Sequence, residues 1–284
     1  MHKLPGLIVA SAIVLAGCTV SSDLPTDQRL GFIAIDQYGV GDTATMDVQG
    51  SFFQPSATIQ PNIPNSAAVG DTCGAYDYDG PPGDTQPIKV DNLNAGDSIV
   101  ITTDKATGKL VPVFNVAGSV DYVLQGGRLP FTPGSDVTIT VPGDSGGFPA
   151  RTQTVKTLVT PSFTPIQRHP DGSKDLDLHW SPAGPTYGAL QLEFLYSNNA
   201  NPVPNRYMIC ALRDDGSYSI PSYIIAGEWN VSPYDAQSAS AIRTNTTIDQ
   251  QSNVLFDVIV RLQVPTVPLA APAPDEDVRA AGLN

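Results

Sequence analysis

Apolar and polar positions alternate with a period of two along most of this chain. The pattern is plain in Asp97-Ser-Ile-Val-Ile-Thr-Thr, in Val137-Thr-Ile-Thr-Val and in Asp175-Leu-Asp-Leu-His-Trp. In the last run Leu176, Leu178 and Trp180 share one face, while Asp175, Asp177 and His179 share the other. Such alternation predicts half-buried strands. Val254-Leu-Phe-Asp-Val-Ile-Val-Arg-Leu is a longer, nearly continuous apolar run, as expected of a strand buried on both faces. Between the runs stand turn-forming pairs: Thr107-Gly108, Pro133-Gly134, Asp171-Gly172 and Asp215-Gly216. No stretch longer than about ten residues carries a helical 3.6 period. The fold class is therefore all-β, with short, evenly spaced strands that suggest sandwich architecture.

Composition agrees with that assignment. Charged residues are 15% of the chain, Gly (25) and Pro (26) are abundant, and helix-favouring Glu, Lys and Leu are scarce whereas Val, Ile, Thr and Tyr are frequent. A Gly- and Pro-rich stretch, Val141-Pro-Gly-Asp-Ser-Gly-Gly-Phe-Pro, divides the strands into two halves. Each half has the length of an immunoglobulin-like domain. Two such β-sandwiches are expected, at 31–143 and 152–264, with a flexible turn between them; one larger interleaved sandwich is the alternative. Residues 265–284, rich in Pro and Ala and without a burial pattern, are expected to be a disordered tail.

The N-terminus changes the picture from fold to location. Lys3 precedes an apolar run from Leu7 to Leu15, which ends in Leu15-Ala-Gly-Cys18. This has the form of a bacterial lipoprotein signal peptide, residues 1–17, with cleavage before a lipid-modified Cys18. About ten apolar residues reach only half of a hydrocarbon core ~30 Å thick, so the segment is an address and not a span. Residues 18–30 then form a polar tether. Several acyl chains, palmitate among them, suffice for stable membrane attachment. Thr19 stands where an aspartate would favour inner-membrane retention, so a cell outer membrane location is expected.

Charge excludes some partners. The formal net charge is −13, one more negative once Lys3 leaves, with no basic cluster. Nucleic acid demands Lys and Arg against phosphate, so none is expected as a partner. Of three cysteines, Cys18 goes to lipid and leaves Cys73 and Cys210 as a candidate disulfide in an oxidising compartment. Two separate buried thiols are the other reading.

The second half reads Leu178-His-Trp-Ser-Pro, then Tyr207-Met-Ile-Cys210, then Asp214-Asp-Gly-Ser-Tyr-Ser-Ile-Pro221. This resembles a recurring module of uncharacterised bacterial envelope lipoproteins. A Trp-ending strand there precedes a Cys strand and an acidic-Gly hairpin. The first half is similar in its early Cys73 and its Asn94-Ala-Gly-Asp-Ser-Ile segment. The resemblance implies a β-sandwich fold and an envelope location, and carries over no catalytic residue.

Candidate chemistry is sparse. Gly143-Asp-Ser-Gly-Gly147 matches the nucleophile loop of chymotrypsin-like proteases, in which Ser145 would attack a carbonyl. The required upstream histidine is missing, because His2 lies in the signal peptide and His169 and His179 follow the serine. Two mature histidines and two scattered cysteines are too few for zinc, so no metal and no cofactor are expected. Asp77, Asp79 and Asp84 crowd one loop, but without the spacing of a calcium motif. Trp229, beside Glu228, and the pair Tyr76 and Tyr78 are the aromatic candidates for a sugar- or peptide-binding platform. The expectation is a lipid-anchored envelope protein that is not an enzyme and has a structural or interaction role, attached to the membrane through its N-terminal lipid. An envelope protein or a glycan is its expected partner. A carbohydrate- or peptide-binding lipoprotein is the alternative, and an envelope hydrolase a more distant one.

Overall fold

The alternating runs form strands. The computed structural model describes residues 27–55, 71–77, 90–114, 120–167, 173–182, 188–198, 206–226 and 234–270. Among the described residues the protein is nearly all β, 62% strand with almost no helix. The strands in chain order are β1 (Arg29–Tyr38), β2 (Thr45–Pro55), β3 (Thr72–Asp77), β4 (Val90–Asn92), β5 (Ile99–Thr102), β6 (Thr107–Phe114), β7 (Val120–Leu124) and β8 (Leu129–Pro130). They continue with β9 (Asp136–Val141), β10 (Arg151–Lys156), β11 (Leu176–His179), β12 (Gly188–Asn198), β13 (Arg206–Arg213), β14 (Ser217–Ile220), β15 (Tyr234–Gln251) and β16 (Val254–Val264). One hydrogen-bonded path runs β10-β9-β5-β6-β7-β2-β1-β16-β15-β12-β13-β3, and β11 with β14 forms a separate two-stranded sheet.

Two hydrophobic cores lie along this path. The first takes Ile33 and Ile35 from β1, Met46, Val48 and Phe52 from β2, Ile99 and Ile101 from β5, and Val137, Ile139 and Val141 from β9. At its centre Phe52 packs on Phe148 (ring centroids 4.7 Å apart) and edge-on to Tyr122 (5.4 Å). Gly31 makes room for that cluster, since a Cβ there would lie 2.7 Å from the Phe148 ring. The path curls so that β10 approaches β15, where Gln153 Nε2 donates to the Thr247 carbonyl (3.0 Å).

In the second core β11 and β14 lie across the face of β12 and β13. Leu176, Leu178 and Trp180 meet Leu190, Leu192, Phe194, Met208 and Leu212, and Asp177 and His179 face out.

The cores exchange strands across the 143/152 boundary. β16 lies parallel to β1, with Arg29 opposite Val254 and Gln37 opposite Leu262. Phe256, Val258, Val260 and Leu262 of β16 therefore fill the first core, and Val264 reaches the second. β15 serves both: its early residues pair with β12 and its later ones with β16. In the other direction, the chain leaves β2 at Pro55 and returns beside it at Val90, its direct partner in β4. Between those points β3 pairs with β13 at the far end of the path. Neither crossing has a local sequence signature, because both are register choices between residues far apart in the chain.

The stretch 141–149, expected to be a flexible turn, is pinned. Phe148 is fully buried in the first core. Its N–H donates to Asn94 O (2.7 Å), Gly143 N–H to Ala95 O (3.1 Å), and Arg29 Nη1 to Gly147 O (2.7 Å). A buried phenylalanine in a glycine-rich loop anchors it as a core element.

Candidate functional site

Four constellations of chemistry-bearing side chains stand out among the described residues. In the first, β3 lies antiparallel to β13, which sets Cys73 directly opposite Cys210. The two are disulfide-bonded, with Cα atoms 4.0 Å apart across 137 residues of sequence. Just before β3, Asp71 takes a two-pronged contact from Arg213, Nε at 3.0 Å and Nη2 at 2.7 Å, and accepts the Arg213 backbone N–H at 2.7 Å. These contacts and the disulfide attach the start of β3 to the end and the middle of β13.

The second is a buried ion pair. Arg243 on β15 is 1% exposed at its side chain and Asp214, at the end of β13, is 0% exposed. Nη2 donates to Asp214 Oδ1 (2.8 Å), and Nε faces Oδ2 at 2.7 Å, off the hydrogen-bonding line. Nη1 donates to Val159 O (2.7 Å) and Nη2 also to Ser181 O. Trp180 Nε1 donates to Asp214 Oδ1 (2.8 Å). One guanidinium thus ties β15, β13, the end of β11 and the strand-free stretch at Val159. Removing one partner of a pair so enclosed would leave the other charge buried and uncompensated.

The third surrounds the protease-like motif. Tyr122 on β7 is buried, and its hydroxyl accepts the Ala95 N–H (2.9 Å) and lies 2.8 Å from Asn94 Oδ1 and 2.9 Å from Gly96 O. Burial raises the pKa of this phenol. The Asn94–Gly96 turn in turn holds the loop that carries Ser145. Ser145 itself is exposed. His179 belongs to a strand of the other core, faces out, and stands opposite Ser217. Two glycines of the motif have a packing reason, since a Cβ on Gly143 would lie 2.3 Å from Ala150 N and one on Gly147 2.1 Å from Asn94 O.

The fourth is a single carboxyl. Asp257 on β16 is 6% exposed, between Phe32 of β1 and Ile248 of β15. It shares the sheet face opposite the first core with Leu255, Leu30 and the stacked pair Phe32 and Phe53 (centroids 5.5 Å apart). Among the described residues nothing hydrogen-bonds its Oδ1. Burial pushes its pKa up to about 7.

The other sequence candidates fall as follows. Cys18, Trp229, Glu228, Tyr78, Asp79, Asp84 and His169 lie outside the described residues. Tyr76 is on β3 opposite Tyr207. Asp175 accepts the Ser222 N–H (2.6 Å) and so holds the short helical turn Ser222–Ile224. Among the described residues no group of three or more His, Cys, Asp or Glu is placed to hold a metal ion. Sequence reasoning missed the Arg243–Asp214 pair and Asp257. The signal for each was a charged residue within an apolar strand pattern, in Ala241-Ile-Arg-Thr and in Leu255-Phe-Asp-Val.

No protein-family model and no curated protein matches this chain. Among solved structures, a DUF4785 family protein from Legionella pneumophila subsp. pneumophila str. Philadelphia 1 matches at 9% sequence identity and a TM-score of 0.21. The match covers 73% of this chain and 49% of that one, about half its length. A likeness of that size carries no argument about activity.

Proposed function

We infer that this chain is a lipid-anchored cell-envelope protein with a non-catalytic structural or interaction role. In this reading acyl chains on Cys18 hold it to the outer membrane. Its body is a pair of immunoglobulin-like sandwich lobes that share β15 and β16. The observation that carries the reading is the Cys73–Cys210 bond, which links β3 to β13. Disulfides of this kind persist outside the reducing cytosol, where a lipoprotein signal would send the chain. Further support comes from the charged and aromatic groups described above. Arg243, Asp214, Trp180 and Tyr122 are buried and hydrogen-bonded within the fold. Function then rests on surfaces presented from a tethered position, where anchoring raises the effective concentration of the protein near a partner. The partner proposed is another envelope protein. Crosslinking in living cells, followed by mass spectrometry of what purifies with the chain, tests this. One dominant protein partner, lost in the Cys18→Ala variant, is the expected result. Background proteins alone, equal in both strains, would overturn the interaction role.

A further inference from the structure

The strand register places an exposed apolar hairpin end at the pole where the tether meets the fold. Val113 of β6 is opposite Asp121 of β7. Asp121 is opposite Ser51 of β2, and Ser51 is opposite Phe32 of β1. These four residues form one row across the sheet, and Phe114 lies one residue closer to the Arg29 end. Three strand spacings of ~4.8 Å separate β6 from β1, about 14 Å in all. At that pole the tether is fixed to the turn between β15 and β16: Asn253 Nδ2 donates to Asp27 O (3.2 Å), and Arg29 N–H to Asn253 O (2.7 Å).

Pairing of β6 with β5 stops at Leu110, so among the described strands residues 111–114 pair with β7 alone. Val113 is 45% exposed there. Phe114, at 75%, is the most exposed large apolar side chain among the described residues. The roughly ten residues from Cys18 to Asp27 span about 18 Å as a free chain and at most about 35 Å when fully extended.

We propose that the β6–β7 hairpin end, through Val113 and Phe114, rests in the interfacial layer of the bilayer that holds the acyl chains. It forms a second, apolar contact that fixes the orientation of the body. This rests on the proposed lipid anchoring. An aromatic ring at the headgroup boundary is favoured by burial of its apolar body. The acidic body makes neutral lipid the fitting surface, since anionic headgroups repel it.

The test uses the full acylated chain in neutral phosphatidylcholine–phosphatidylethanolamine vesicles containing brominated lipid, with the parent chain as background for its own tryptophans. Phe114→Trp is compared with Lys105→Trp, which sits on the turn at the other end of β6, about 23 Å away. The expected result is at least about threefold stronger bromolipid quenching for Phe114→Trp. Equal quenching of the two overturns the contact. A blue-shifted Phe114→Trp emission that bromolipid does not quench overturns it in favour of burial of the hairpin against a second copy of this chain. Flotation of the same samples separates the two readings: a chain that floats without preferential quenching retains its anchor and loses the hairpin contact. One that does not float loses both.

Discussion

Replacing Asp257 by Asn removes a buried carboxyl whose charge the fold opposes. Asp257 is 6% exposed, lacks a partner at Oδ1, and has burial alone as the cause of its raised pKa. In the unfolded chain the carboxyl titrates near its ordinary 3.8, and in the folded one at about 7. Between those values the folded state holds a proton that the unfolded state has released. Stability therefore falls as pH rises through that window, and the loss is complete above it. At ~1.4 kcal/mol per pH unit the full penalty is about 4 kcal/mol, an upper bound that relaxation and solvent entry reduce to about 2 kcal/mol or more. Asparagine has nearly the same shape and never ionises. The measurement is urea unfolding followed by circular dichroism, for both proteins, at pH 4.5 and pH 8. Other carboxylates titrate alike in both chains and cancel in the difference. The stability advantage of Asp257→Asn should grow by at least about 2 kcal/mol between the two pH values. A difference that stays constant to within about 0.5 kcal/mol would refute the reasoning, because the carboxyl would then titrate alike in folded and unfolded chains.

Three other changes have expected outcomes. Cys73→Ser opens a loop of 137 residues and should lower stability by about 4–5 kcal/mol in the chain-entropy model. Hydrogen exchange should show loss of protection first at 72–77 and 206–211; uniform loss across the sheet would contradict a localised tie. Arg243→Met leaves Asp214 buried with only Trp180 to face it, and should cost about 3–5 kcal/mol in urea unfolding. Adding Asp214→Leu should recover part of that cost, and additive losses would show that the two groups do not act as a pair. Gly147→Ala drives a Cβ into Asn94 O and should lower the melting temperature by several degrees, at ~4 °C or less per kcal/mol for a chain of this size. Ser145→Ala should leave it unchanged, and the reverse ranking would mean the loop is built around its serine.

The all-β class was legible because period-two alternation is local, and the run at 175–180 shows how far that goes. Leu176, Leu178 and Trp180 are buried, while Asp177 and His179 are exposed. Val254–Leu262, read as a strand buried on both faces, is one: Phe256 and Val258 enter the first core, and Leu255 and Asp257 are buried on the other side. What the pattern could not hold is partnership. The parallel pairing of β1 with β16 and the passage of β3 to β13 depend on total buried area and loop closure, which no window of residues encodes. The stretch 141–149 was read from its glycines as flexible, although Phe148 marked it as packed. Asp214 begins the acidic-Gly hairpin segment and carries no local sign of burial, which follows from Arg243 arriving on a strand 29 residues later. Of the candidate aromatic platform, Trp229 and Tyr78 lie outside the described residues.

The lipid anchor is tested most directly by the mass of the N-terminal peptide from membrane-extracted protein. The predicted result is a peptide that begins at Cys18 and carries acyl chains, with the Cys18→Ala chain retaining residues 1–17 or released from the membrane fraction. A peptide that still contains Leu15-Ala-Gly-Cys18 in the wild-type chain, or a Cys18 with a free thiol, would contradict it.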